Sequence, residues 1–386
     1  MQVLPRVYSA EPDGSDPREF LMDFFTTPGE MLSKLFLKGY QWPFDVRKVA
    51  SGSSIIDILV YLESCKGRKV YLDYRTNPVD GNFRFEELDA EALDYLTRAG
   101  ACFGTPIERL LHMNAPAVDF YRDKGVDLAA EPLEISLCAQ HNNGGLDIDC
   151  WWQTNLKGFF AVGEVAASHG VCRPGGSALN AGQVGSTRAA QYIAARRGGA
   201  PEHEDAFHRE AARALTEMGN LAQQAFTEHD PAIYRLRNEA GRRMGAAIRN
   251  SEAIAAYIAE IRARLENLPA YATISESKDL AWLYRYRDTL ISQQTYLSAM
   301  VDYLRQGGKS RGSALYTDPS GRKPFAQLPD TFTFTVDDGS RGDLVQEASW
   351  KGGECTFQFR KVRPIPEDDD FFENVWRSYR ETGNIY

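Results

Sequence analysis

One stretch near the middle of the chain limits the fold more than any other. Residues 158–165, GFFAVGEV, make a short apolar run bounded by glycine, the pattern of a buried strand. A loop of small residues follows, and then an Ala-rich run from Ser177 to Arg197 reads as one long helix that stops at Gly198-Gly199. Strand, glycine-rich loop and helix in this order form the repeating unit of an α/β layer. Glu164 closes the apolar run, and Gly163 precedes it. Open α/β sheets bind ligands at the carboxyl ends of their strands, and a carboxylate there can accept hydrogen bonds from both hydroxyls of a ribose. Gly175-Gly176-Ser177 opens the helix, where unpaired N–H groups and the positive end of the helix dipole favour electron-rich atoms. Glycine also lets a backbone come close to a planar ligand, and Gly144-Gly145 offers a second such place. Arg173 carries the rigid fork of donors that pairs with carboxylates. His169 adds a hydrogen bond or a proton. Taken singly, each Gly-Gly is an ordinary turn, the Glu a solvated side chain and the Arg a surface partner. Their combination in one strand–loop–helix unit points to a nucleotide-type cofactor site.

Elsewhere the pattern predicts strands over Ile55 to Leu62, Arg68 to Tyr74, Glu134 to Ala139 and Leu146 to Trp152, with a tight turn at Gly144-Gly145. Helical signals occupy Glu86 to Ala99 and Ile107 to Leu111. Residues 203–306 read as helices throughout, with apolar faces such as Ile254, Ile258, Ile261, Leu265 and Leu290, Gln294, Leu297, Val301. Asp230-Pro231 is expected to cap one of them. The last part of the chain carries strand signals at Thr331 to Val336 and Cys355 to Val362.

Composition narrows the functional classes. The 386 residues hold 44 Lys and Arg against 53 Asp and Glu, a net charge of −9, which argues against nucleic acid as a partner. No apolar run reaches the roughly 18–20 residues of a membrane helix, and no secretory apolar region opens the chain. The six cysteines (Cys65, Cys102, Cys138, Cys150, Cys172 and Cys355) form no C-x-x-C pair, which reads as reduced thiols in a cytoplasmic protein with no metal site.

At GFFAVGEVA and HGVCRPGGSAL the chain resembles the flavoprotein subunits of succinate dehydrogenase and fumarate reductase and their relative L-aspartate oxidase. That family reads G-L-Y-A-A/V-G-E-V-A and then H-G-A-N-R-L-G-G-N-S-L at the start of a long helix. Upstream, QHNNGG stands where the family has H-Y-x-M-G-G. Downstream, RRMGAAIRNSEAI is similar to its M-x-x-x-x-G-x-x-R-x-x-E-x-L, and SRGSALY to its S-R-G-A-H-Y. The resemblance implies FAD. Under it, Glu164 holds the ribose, Ser177, Ala178 and Leu179 start the helix facing the flavin ring, and Gly144 and Gly145 form the turn beside it. His169 and Arg173 match the clamp for a substrate carboxylate.

The departures shape the expectation further. The family's catalytic histidine falls on Gln140, with His141 one place along. The cap-domain arginine that delivers a proton precedes an aspartate; here Phe44 precedes Asp45, and Arg47 lies nearby. No G-x-G-x-x-G occurs anywhere, although the family binds the FAD pyrophosphate with one. The expected fold is therefore α+β: a partial cap domain at 1–130, the C-terminal segment of an FAD-binding α/β domain at 131–200, a helical domain at 201–306 and a small β-containing extension at 307–386. The expected function is that of the C-terminal part of an FAD-dependent oxidoreductase acting on a small carboxylate-bearing substrate, with the dinucleotide-binding half missing. The alternative is a non-catalytic module that pairs through its exposed cofactor face with another chain, a homodimer being one form of it.

Overall fold

The protein is described by a computed structural model at residues 1–138, 141, 143–169, 176–196, 204–240, 247–362, 364, 367 and 371–383, with backbone alone at 237–240 and 371–372. The chain forms two compact units, each assembled from separate stretches. The first takes residues 1–139, 246–250 and 309–338; the second takes 140–245, 251–308 and 339–386.

The first unit is built on a three-stranded antiparallel sheet in the order β1 (Arg6–Ala10), β2 (Lys69–Asp73), β3 (Leu133–Ile135). The alternation of R-K-V-Y-L-D-Y sets the register, with Val7 opposite Leu72 and Tyr8 opposite Tyr71. The two tyrosine rings stack at 5.2 Å on the half-exposed face while Val7 and Leu72 point into the core. Helix α1 (Pro28–Leu37) starts where Thr27 accepts a hydrogen bond from the Glu30 N–H and Pro28 presets the first turn. Helix α2 (Ser54–Cys65) occupies Ile55 to Leu62, where the apolar run predicts a strand. A continuous apolar run is equally at home in a buried strand or a buried helix. Here Ile55, Ile56, Ile58, Leu59 and Val60 are all buried, so the segment is enclosed on most sides and the backbone closes its own hydrogen bonds. Helices α3 (Ala90–Arg98) and α4 (Pro106–Asp123) complete the unit, the second kinked at Asn114 two residues before Pro116. A short parallel pair, β4 (Ile248–Arg249) with β5 (Leu315–Tyr316), brings the later stretches into the same core. Thr331 to Val336 forms no strand; Phe334 and Val336 make single bridges to Arg322 and Ser310. Its neighbours are turns, which offer one residue each to pair with.

The second unit carries helices α5 (Ser177–Arg196), α6 (Glu204–Ala225), α7 (Ile233–Ala240), α8 (Ser251–Glu266), α9 (Leu268–Tyr271) and α10 (Leu280–Arg305). Ile254, Tyr257 and Ile261 of α8 meet Leu283, Tyr286, Leu290 and Leu297 of α10 in its core, the helical spacing read from the sequence. Asp230 does not cap α7. It takes φ +48, and the helix starts at Ile233 after the Ala232 amide donates to Thr273 Oγ1. A hairpin of β6 (Leu344–Lys351) and β7 (Glu354–Lys361) lies against α10, held by buried Gln294, which donates to Gly353 O and accepts from Trp350 Nε1. Helix α11 (Phe371–Thr382) closes the order, its Tyr379 hydroxyl accepting from Gln191 of α5.

Two further strand expectations fail in this unit. Leu146 to Trp152 keeps one bridge, from Leu146 to Ala166. Gly158 to Val165 keeps one bridge, from Phe160 to Gln153, and ends in a single 3₁₀ turn at Gly163–Val165. The run is also not buried: Phe159, Val162 and Val165 are exposed and only Ala161 is covered. A parallel strand needs paired neighbours and a layer on each face, and among the described residues neither is present around this run.

Candidate functional site

The site is organised by a clamp between two segments. The Leu146 N–H donates to Val165 O at 2.8 Å and the Ala167 N–H donates to Leu146 O at 3.0 Å. These bonds hold Gly144-Gly145, which forms no turn of its own, against the 3₁₀ turn Gly163–Val165. Gly145 is required by space: a Cβ there would sit 2.3 Å from Val165 O. Gly163 is required by conformation, at φ +79, and so is Gly176, at φ +81 just ahead of α5. Helix α5 packs on the Gly163–Val165 turn closely enough that a Cβ on Gly182 would lie 3.5 Å from the Gly163 Cα. The intervening 150–161 hairpin is pinned to the same helix, because Arg188 donates to Cys150 O and its guanidinium lies 4.3 Å from the Trp151 ring centre.

Pinning these segments together assembles polar groups that are far apart in sequence. His169 is buried, and its Nδ1 lies 3.1 Å from His141 Nε2. His141 Nδ1 in turn meets Asn143 Oδ1 at 2.9 Å, and the two imidazole rings are 4.9 Å apart. Glu164 Oε2 stands 3.8 Å from His141 Nε2, with its side chain half exposed. His169 Nε2 is buried and has no hydrogen-bond partner among the described residues. Beside this polar cluster the apolar side chains of Leu146, Val162, Val165 and Leu179 are exposed, Leu179 at 82%.

The sequence-derived site residues fall into three groups. Gly144, Gly145, Gly163, Glu164, His169, Gly176, Ser177, Ala178 and Leu179 all lie in the second unit, and the clamp brings the first five together. Gln140, Arg173 and Gly175 lie outside the described residues. Arg47 belongs to the first unit, in the 3₁₀ turn Val46–Lys48. Its guanidinium forks onto the aspartate two residues earlier, with Nη2 2.6 Å from Asp45 Oδ2 and Nε 3.1 Å from Oδ1. Sequence reasoning gave His141 no role. Its signal is present in QHNNGG, yet only folding over 28 residues shows that it meets His169.

The open space beside the Cα of Gly163 and of Gly176, the Glu164 carboxylate and the buried His169 Nε2 without a partner among the described residues are chemically compatible with a ring system that carries a ribose, whereas the Val165 backbone already fills the space beside Gly145. Among the described residues, no group of three or more His, Cys, Asp or Glu could hold a metal ion. Cys65, Cys102, Cys138, Cys150 and Cys355 are free thiols. No described helix is long and apolar enough to cross a membrane.

No protein-family model matches the chain. Over 70 residues it is 49% identical to a chain of the CoM/CoB fumarate reductase of Methanothermobacter marburgensis, a match that covers 18% of this chain and 13% of that protein. An uncharacterised FAD-dependent oxidoreductase of Methanocaldococcus jannaschii is 46% identical over 61 residues, 16% of this chain and 11% of that protein. L-aspartate oxidase of Mycobacterium leprae is 40% identical over 76 residues, 19% of this chain and 14% of that protein. Among solved structures, a quinol-fumarate reductase with menaquinol molecules superposes on 93% of this chain with a TM-score of 0.55 at 18% identity. A chain of Escherichia coli quinol fumarate reductase superposes on 96% with a TM-score of 0.54 at 19% identity. The chain spans 56–57% of these two structures. Its mixed helix-and-strand fold is similar to theirs, and over these 61–76 residues its sequence is similar to a fumarate reductase subunit, an FAD-dependent oxidoreductase and an L-aspartate oxidase.

Proposed function

We propose that the chain supplies the flavin-facing and substrate-facing part of an FAD-dependent oxidoreductase acting on a small, carboxylate-bearing substrate. When bound, FAD accepts or gives the hydride. Glu164 receives the ribose hydroxyls, and the backbone at Gly144, Gly145 and Gly163 lies against the ring. Gly175, Gly176, Ser177, Ala178 and Leu179 offer the helix start to it. Arg173 holds the substrate carboxylate, where a guanidinium fork gives two parallel charge-assisted hydrogen bonds, and His169 stands beside it. Gln140 and Phe44 fall at the positions that handle protons in the family the chain resembles, with Arg47 near the second, and a glutamine cannot carry a proton at neutral pH. That change favours a substrate other than the dicarboxylates of the relatives. With no G-x-G-x-x-G in the chain, the pyrophosphate is assigned to a dinucleotide-binding segment outside these 386 residues.

The observation that carries the proposal is the clamp itself, since it brings Gly144-Gly145, the Gly163–Val165 turn with Glu164, and His169 together. Quenching of flavin fluorescence tests it, measured on the chain alone and with a G-x-G-x-x-G domain supplied in trans. Wild type should bind FAD in at least one arm. Glu164→Ala should weaken it about 10- to 150-fold, since a hydrogen bond to a charged group contributes about 1.5–3 kcal/mol. No FAD binding in either arm refutes the reading.

A second reading rests on the exposed Leu146, Val162, Val165 and Leu179. Exposed apolar side chains, where they form a contiguous patch, mark a surface that another chain covers. Sedimentation with wild type and Leu179→Asp separates it: a complex lost in the variant while FAD still fails to bind favours a pairing module.

A further inference from the structure

We infer that His169 and His141 form a proton-holding dyad, with His169 Nε2 as the atom that takes up or releases the proton of the reaction and Glu164 as its counter-charge. The inference deepens the flavin reading above and rests on it for the reaction, but not for the dyad.

A histidine–histidine hydrogen bond needs one nitrogen to donate and the other to accept. Asn143 Oδ1, 2.9 Å from His141 Nδ1, accepts and so places the hydrogen of His141 on Nδ1. His141 Nε2 then presents a lone pair to His169 Nδ1, 3.1 Å away, which must be the donor. Both rings are thereby held as the Nδ1–H tautomer. The remaining lone pair of His169, on Nε2, is left buried and without a partner among the described residues. A buried polar atom without a partner is costly unless something meets it, and a lone pair on imidazole is a base.

Protonation at that atom is provided for on the other side. The Asn143 bond leaves only Nε2 of His141 free to accept, so the added charge reaches His169 through a donor bond that strengthens when the donor ring is cationic. Glu164, from the Gly163–Val165 turn, faces the pair at 3.8 Å from His141 Nε2, and Asn143 faces it as a neutral group. The rings stand 4.9 Å apart, close enough that two cations would repel and one cation is held. In the oxidation direction a substrate X–H bond gives its hydrogen to Nε2 as a proton. The electron pair would stay on the substrate and make the new double bond, the neighbouring atom giving up the hydride that bound FAD would accept. In reduction the Nε2–H returns the proton. His169 is the catalytic residue of this step and His141 its positioning residue.

The test is imidazole correlation NMR, without flavin, of the full 386-residue chain labelled with nitrogen-15 in its six histidines. Wild type should show neutral His141 and His169 as Nδ1–H tautomers, with a coupling across the hydrogen bond between them. His141→Phe should release His169 from that single tautomer. An Nε2–H tautomer at His169 in wild type, or a His169 tautomer unchanged in His141→Phe, overturns the dyad. Flavin binding is scored separately by fluorescence, so a dyad without FAD sinks only the flavin reading, and FAD without the dyad sinks only this inference.

Discussion

Replacing Gly145 by alanine should break the clamp that assembles the site. The new Cβ would fall 2.3 Å from Val165 O, while ordinary contact begins near 3.4 Å, so the carbonyl must retreat by about 1 Å. The Leu146 N–H to Val165 O bond, 2.8 Å in the native structure, then lies outside hydrogen-bonding range. The Ala167 N–H to Leu146 O bond, on the same bridge, goes with it. Two backbone bonds at about 0.5–1.5 kcal/mol each contribute about 1–3 kcal/mol to keeping the two segments together. Amide hydrogen exchange at Leu146 and Ala167 should accelerate by roughly 5- to 150-fold, with exchange in the α8–α10 core unchanged. The hydrogen bond between His141 and His169 should be lost in the imidazole spectrum, because His141 precedes Gly144-Gly145 and His169 follows the Gly163–Val165 turn. The control is Gly182→Ala, also beside the site. Its Cβ would make an ordinary 3.5 Å contact with the Gly163 Cα inside a helix, where alanine is favoured over glycine by up to about 1 kcal/mol. Native exchange rates and an intact histidine pair in Gly145→Ala would refute the reasoning, as would equal damage from the two substitutions.

Arg109, fully buried, donates to the carbonyls of Val3, Phe103 and Gly104 and to Asn77 Oδ1; burial pushes its pKa down to about 10, which leaves it charged at neutral pH. Arg109→Met should destabilise the first unit by about 3–5 kcal/mol, the scale for breaking a buried charged network, read as faster exchange in β1 and α4. Burial pushes the Asp73 carboxyl up, but hydrogen bonds from the Arg75 side chain and N–H outweigh it and hold the net value below the ordinary 3.8. A depressed carboxyl contributes stability above about pH 4 that is lost as pH falls through its folded value. The advantage of wild type over Arg75→Met in urea unfolding should therefore be full near pH 6 and shrink toward pH 2. Gln294→Leu leaves Trp350 Nε1 and Gly353 O without their partner and should loosen the β6–β7 hairpin by about 1–3 kcal/mol, seen in tryptophan fluorescence and in exchange at the hairpin.

The long helices were legible because their signal is local. The spacing of Ile254, Ile261, Leu290 and Leu297 is that of a helix with one covered face, and these residues are buried. The alternation of Lys69–Asp73 likewise placed a strand with one face in the core. Ile55 to Leu62 was not legible, since a run that is apolar at every position carries no period, and its length and enclosure chose the helix. Gly158 to Val165 failed for the opposite reason. Its composition is that of a central strand, but a strand exists only where another strand pairs with it, and the described neighbours supply single bridges.

Residue type and order mark Gly144, Gly145, Glu164, His169 and the helix that opens at Ser177 as candidates for a nucleotide-type cofactor, because the backbone freedom of glycine and the charge of a carboxylate belong to the residues themselves. The meeting of His141 with His169 and with Asn143 came with the fold alone. A hydrogen bond across 28 residues depends on Leu146 being held to Val165 and Ala167 at 2.8 and 3.0 Å, and no local pattern encodes that distance.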